Sequence, residues 1–207
     1  METLYKLTDA DGYTRRGQLG ETSWQPGKLV TVEWGGHLCE AGCLHAYRHP
    51  LLAVLFDPEH ARLLPSGKLW SARGNVRDED ATKAGCDSLE VVEQVDVPTM
   101  TTAQRVRWAI LCAQQLPQSE AWQRWAKSWL DGADRTAAAA DAVADAAYAA
   151  IYAVAAYAAD AAAVYADDYT ADTVYDYAAD AVDACAVSLT WHDLLRLAEQ
   201  AIREEQT

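Results

Sequence analysis

The residues best placed to do chemistry lie between positions 13 and 49. Tyr13-Thr14-Arg15-Arg16-Gly17 is a short basic patch in an acidic chain. Guanidinium donors match the acceptor oxygens of a small anion. Trp24, Trp34 and His45 follow closely, with rings suited to stacking on a base or pairing with a cation. Tyr13, Arg15, Arg16, Trp24, His45 and Tyr47 are therefore the candidate ligand-binding residues. A surface hairpin with solvated arginines is the plainer account of the same patch.

Cys39-x3-Cys43-x-His45-x3-His49 is the most chemically loaded run. Two thiols and two imidazoles could complete a zinc tetrahedron. The spacing matches no common zinc module, and no second CxxC or HxxxH pair supports it. A turn that buries Cys39 and Cys43, followed by a strand, explains the run equally well. Period two would place His45, Tyr47 and His49 on one strand face. No metal or cofactor is assigned. The chain has no nucleophile elbow, phosphate loop, dinucleotide fingerprint or HExxH helix. Glu90 and Glu93 lie in a strand-like run without an acid–base partner. No catalytic residue is assigned, and the chain is read as a non-enzyme.

A second pattern is acidic. Asp168, Asp172, Asp176, Asp180 and Asp183 step along one helical face, and Asp141 and Asp145 begin another stripe. Like charges at i,i+4 cost a few tenths of a kcal/mol per pair. One reading is a solvated face that keeps an Ala-rich helix soluble. The other is a row of carboxylates about 6 Å apart that imitates a phosphate backbone, with Asp168, Asp172, Asp176 and Asp180 contacting a protein partner. Carboxylates in one row do not converge on a metal.

Glycine and proline locate the elements behind these residues. Ten of the 11 glycines and five of the 6 prolines precede residue 99. The front half is therefore turn-rich and the back half continuously helical. Strand composition appears at Glu2–Leu7, Lys28–Trp34, Lys68–Val76 and Ser88–Val97. Pro50–Leu64 reads as a helix that Pro58 should break or kink. This pattern predicts an α+β fold: a small antiparallel-sheet domain over 1–98, then an all-α region over 99–207.

Within the back half, Thr101 has the spacing of a capping box, and Ser119 opens a second helix that stops at Gly132. Trp122, Trp125 and Trp129 share one face of that helix, either as core joining the two halves or as a stacking platform. Residues 136–187 are rich in Ala, Asp and Tyr and contain no Lys or Arg. They predict a helical hairpin breaking near Asp167-Asp168-Tyr169-Thr170, with a last helix over 190–205. Val143, Ala147, Ile151, Val154 and Ala158 form one stripe of mostly small residues, which lets helices approach to about 8 Å. That stripe predicts close pairing within the chain or between chains, with a homo-oligomer as the leading expectation.

Composition narrows the class of function. The 207 residues are 51% hydrophobic, enough for a core. A net charge of −14 argues against direct binding to nucleic acid or to an anionic membrane surface. No stretch has the 18 or so apolar residues that span a bilayer, and METLYKLTDADGYTRRG lacks the apolar core of a signal peptide. Five scattered cysteines read as reduced thiols. A cytoplasmic protein is expected.

YKLTDADGYTRRG, LC, LHAYRHPLLAVLFDPEHA, KAGC, TTAQRVRWAILCA and WAKSWLDGADRTA, in that order, resemble uncharacterised bacteriophage and prophage proteins. These pair an N-terminal domain of unknown function with an Ala-rich helical tail. The resemblance implies a phage protein acting in a bacterial host's cytoplasm. It also implies counter-defence: sequestration of a nucleotide-derived immune signal by the front half, with the tail supplying self-association. An acidic, DNA-mimicking inhibitor of a host defence complex is the first alternative. A looser likeness, in the order of strands around LCEAGCLHAY, is to ADP-ribosyltransferase-like folds. It implies a nucleotide cleft lined by Arg15 or Arg16 and by His45–Tyr47, and an ADP-ribosyltransferase-like enzyme is the second alternative, although the catalytic Glu motif of those enzymes is not evident.

Overall fold

The computed structural model describes residues 3–38, 42–56, 66–149, 153–166, 171–186 and 188–205. Within the helices it leaves out the side chains of 145–149, 153–156, 171, 172, 175, 176, 183 and 205. The chain divides into two compact units, Met1–Thr99 and Met100–Thr207. Together they give an antiparallel sheet in the front half and mostly C-terminal helices, a mixed α+β class. No described helix is long and apolar enough to cross a membrane.

In the first unit a five-stranded sheet has the order β1 (Leu4–Thr8), β6 (Lys68–Glu79), β7 (Ala84–Val95), β4 (Leu29–Thr31). β5 (Leu44–Ala46) also pairs with β7, beyond β4 on the same edge. β6 and β7 form one long hairpin. Its turn is set by Asp80, whose Oδ1 accepts from the Thr82 and Lys83 amides and from the Thr82 hydroxyl. β2 (Tyr13–Thr14) and β3 (Thr22–Ser23) make a separate two-stranded ribbon. Strand alternation sorts β1 between two cores. Leu4 joins Trp24, Leu44, Trp70, Leu89 and Val91 on one face. Leu7 joins Tyr47, Ala53, Val54 and Leu69 on the other, where α1 (Pro50–Leu55) packs.

Three strand expectations hold with shifted ends, and β7 starts four residues earlier than Ser88 because Ala84-Gly85-Cys86 pairs with β5 and β6. α1 ends at Leu55 where the composition suggested Leu64; residues 57–65, with Pro58, lie outside the described ones. Gly74 shows why a glycine sits inside β6. A Cβ there would lie 2.7 Å from both Leu89 Cδ1 and the Ser88 carbonyl oxygen.

In the second unit α2 (Thr102–Ala113) packs on α5 (Ala153–Ala166), α6 (Ala171–Ala186) and α7 (Trp191–Glu205). The Thr101–Gln104 capping box forms in both directions. α2 is buried nearly all round, so its cations need partners: Arg107 reaches Glu204 at 3.2 Å and the Leu130 carbonyl at 3.1 Å. Trp108 Nε1 donates to the Leu194 carbonyl at 3.2 Å. α3 (Glu120–Leu130) packs on α4 (Ala137–Ala149), with Trp122, Trp125 and Trp129 all buried. A buried indole offers no face to a base, so the stacking platform is set aside. α7 is capped reciprocally by Thr190 and Asp193.

The Ala-rich segment divides more than once. α4, α5 and α6 pack consecutively on one another, and Ala158, Ala159, Ala161 and Ala162 are buried. The small side chains thus serve close packing within the chain. The expected break at 167–170 lies outside the described residues, between the end of α5 and the start of α6. Of the stripe, the side chains of Ala147, Ile151 and Val154 are not described.

Gly74→Ala is expected to destabilise the protein by about 1–3 kcal/mol through overpacking. A urea unfolding midpoint equal to that of the unsubstituted protein would contradict this account of the sheet.

Candidate functional site

Lys6 is the least expected residue of the first unit. Strand alternation puts it on the apolar face of β1, between Leu4 and Thr8. It is only 6% exposed. Its Nζ donates to the His45 carbonyl at 2.7 Å and sits 4.9 Å from the centre of the Trp24 ring. No described carboxylate pairs with it. Burial drives its pKa from 10.5 down to about 8, with Cys86 and Cys43 raising it slightly and Arg15 lowering it further.

The ammonium opens onto a small cavity of about 50 Å³. Trp24 and Leu44 form its buried apolar wall, and Thr14 and Thr22 add hydroxyls. Trp24 is itself oriented by a 2.9 Å hydrogen bond from Nε1 to Thr14 Oγ1. Arg15 and Gly20, both exposed, mark the mouth. The lining thus holds two cations and no carboxylate among the described residues.

The loop between β2 and β3 is shaped by positive backbone dihedrals. Arg15 has φ of 55°, the one described non-glycine residue in the left-handed region. That conformation costs on the order of 1 kcal/mol for a side chain other than glycine. The Arg15 carbonyl accepts from the Gln18 amide, and Gly17 N–H donates to the Glu21 carboxylate. Gly20, at φ of 85°, is held by its left-handed backbone, since a Cβ there would make only ordinary contact with Arg15 Cδ at 3.4 Å.

Of the six expected ligand-binding residues, Arg15, Trp24 and His45 line this cavity. The other three do not. Arg16 is tied to Asp11, with Asp9 3.7 Å away, and lies over the Tyr13 ring. Those contacts hold the Asp11 carboxyl below its usual range. Tyr13 carries that guanidinium, and its amide donates to Asp9 Oδ1. Tyr47 bridges Tyr5 through the backbone and points into the α1 core, its hydroxyl donating to the Phe56 carbonyl at 2.9 Å. Period two does not carry past β5, which ends at Ala46. Lys6, Thr14 and Thr22 complete the lining, together with Cys43 of the Cys/His run. The signal for Lys6 was available: a lysine in an otherwise apolar strand, at the core parity of Leu4.

The remaining candidates are dispersed. Cys39 lies outside the described residues, and His49 Nδ1 accepts from the Leu51 amide as the N-cap of α1. No metal-ligating cluster occurs among the described residues. Burial pushes the Cys86 thiol up to about 11 and Cys185 to about 12, and raises Cys112 well above its ordinary value. Those thiols stay protonated and unreactive at neutral pH. Glu90 pairs across from Arg73, on the sheet face opposite Leu89 and Val91. It lines a separate open groove of about 370 Å³ with Arg73, Asn75 and Ser88, away from Lys6 and Arg15. On the acidic face Asp180 is exposed; Asp168 and the side chains of Asp172 and Asp176 lie outside the described ones. Comparison with known proteins finds no matching family model, no matching curated protein and no matching solved structure.

The buried ammonium makes a signed prediction. Between pH 8 and 10.5 the unfolded chain keeps a proton that the native Lys6 has lost, so native stability rises across that window. Below it, the charged form costs the native state about 3 kcal/mol. Lys6→Met is therefore expected to be the more stable protein at pH 7, with its advantage shrinking by about that amount toward pH 10.5. Paired urea titrations at both pH values measure this, and a constant difference would contradict it.

Proposed function

We propose that the protein is a noncatalytic binding protein that withholds a small nucleotide-type ligand, gripping its phosphate in the Lys6 cavity. One observation carries this reading: two cations and no described carboxylate line a small, partly open polar cavity at the edge of an apolar core. A buried cation without a counter-ion lowers stability, so a bound anion would offset a cost already present in the free protein. Donors dominate the lining, which suits an acceptor-only oxyanion. At about 50 Å³ the cavity is well below the roughly 300–1,000 Å³ of a site enclosing a whole small molecule. It accommodates the anionic end, with the remainder of the ligand at the mouth near Arg15.

The wider setting we propose is counter-defence in a bacterial host by a phage-encoded protein. The sequence resemblance supports it. The helical unit contributes stability and self-association in this reading.

Mass spectrometry of protein purified from a bacterial host is expected to find a co-purified phosphate-bearing molecule. That molecule should be absent from Lys6→Met and from Arg15→Ala. Equal amounts on all three proteins would overturn the reading.

A further inference from the structure

Resting on that reading, we infer that the cavity selects the terminal phosphate of a monoester and discriminates against phosphodiesters, cyclic dinucleotides among them.

Space is the first argument. The cavity of about 50 Å³ has room for roughly four water molecules. The three terminal oxygens of a monoester and its phosphorus match that room. The inner wall is closed by Lys6, Trp24 and Leu44, each less than a tenth exposed. The exposed residues of the lining, Arg15 and Gly20, sit together on one loop. A terminal phosphate has one carbon substituent, which can leave through this mouth. A diester has two, and the second would have to crowd the half-buried side of the cavity at Thr22, Cys43 and His45 or enter the buried wall.

Charge is the second argument. Above its second ionisation, near pH 6, a phosphate monoester carries almost two negative charges. Lys6 and Arg15 supply two positive ones. A diester carries a single charge and would leave one cation, partly desolvated, without compensation. Hydrogen bonding agrees. Lys6 spends one N–H on the His45 carbonyl and has two more. Thr14 Oγ1 accepts from Trp24 and still has its own O–H to donate. Trp24 is under the cavity and 3% exposed, so it holds Lys6 and does not stack on a base. Inorganic phosphate shares this chemistry and is a separate arm of the test.

The test is calorimetric titration of the full chain at pH 7.5 with four probes. They are inorganic phosphate, a nucleoside 5′-monophosphate, the 3′,5′-cyclic diester of the same nucleoside, and a cyclic dinucleotide. The monophosphate is expected to bind at least about tenfold more tightly than either diester, equivalent to about 1.4 kcal/mol. Lys6→Met and Arg15→Ala should each lose about tenfold or more of that affinity, whereas Arg16→Ala should retain it. Tighter binding of the monophosphate than of inorganic phosphate would assign the ligand as an ester; the reverse order would overturn that assignment. A diester binding as tightly as the monoester would overturn the inference while leaving phosphate binding in place. Silence from all four probes would remove the binding reading as well. Because Lys6→Met removes a buried charge, lost binding in a variant with an unchanged or raised melting temperature reports on the site and not on folding.

Discussion

An ammonium group inside an apolar sheet face costs several kcal/mol unless charge, hydrogen bonds or an aromatic face answer it. Lys6 is answered in part, by one backbone carbonyl and the face of Trp24. The neighbouring strands and the β2–β3 ribbon are arranged around that partial answer. Trp24 is fixed through Thr14, β5 brings the His45 carbonyl within reach, and the polar space left over is the cavity. The same shortfall that lowers the fold's stability makes the site receptive to an anion.

The mouth of the cavity depends on turn geometry more than on composition. Two adjacent arginines leave β2, yet they have separate fates. Arg15 adopts a left-handed conformation and lines the cavity. Arg16 turns toward Asp11 and Asp9 and is neutralised at the surface. A one-residue difference in position thus decides which guanidinium is available, because Arg15 takes the left-handed conformation at the start of the turn that its carbonyl closes with the Gln18 amide. Gly17 and Gly20, both at positive φ, let the loop close on itself with Arg15 above the opening.

The helical unit follows a simpler logic. Its apolar side chains are short, so α4, α5 and α6 approach closely, while the larger ones gather around α2 and α3. Caps at Thr101, Ser119 and Thr190 satisfy the first-turn amides of α2, α3 and α7. α2 tolerates Arg107 in its core because Glu204 and the Leu130 carbonyl take the guanidinium. At Arg107 burial and hydrogen bonding are matched, in contrast to Lys6.

Local signals determined much of this architecture before any contact was known. Proline and glycine stop helices and open turns by their own dihedral limits, so the division into a sheet-bearing front and a helical back was legible. The caps at Thr101 and Ser119 were legible for the same reason: they act within three residues. Half of the candidate site was legible too, since Arg15, Trp24 and His45 stand out by type. Tertiary structure alone decided the rest. It paired β1 with β6 and brought Lys6 against the Trp24 ring. It also sent Tyr47 to the opposite core and Glu90 to the far face of the sheet. The charge on a side chain is a property of its residue type, but whether a counter-charge meets it is settled by residues distant in sequence, and that only the folded sheet arranges.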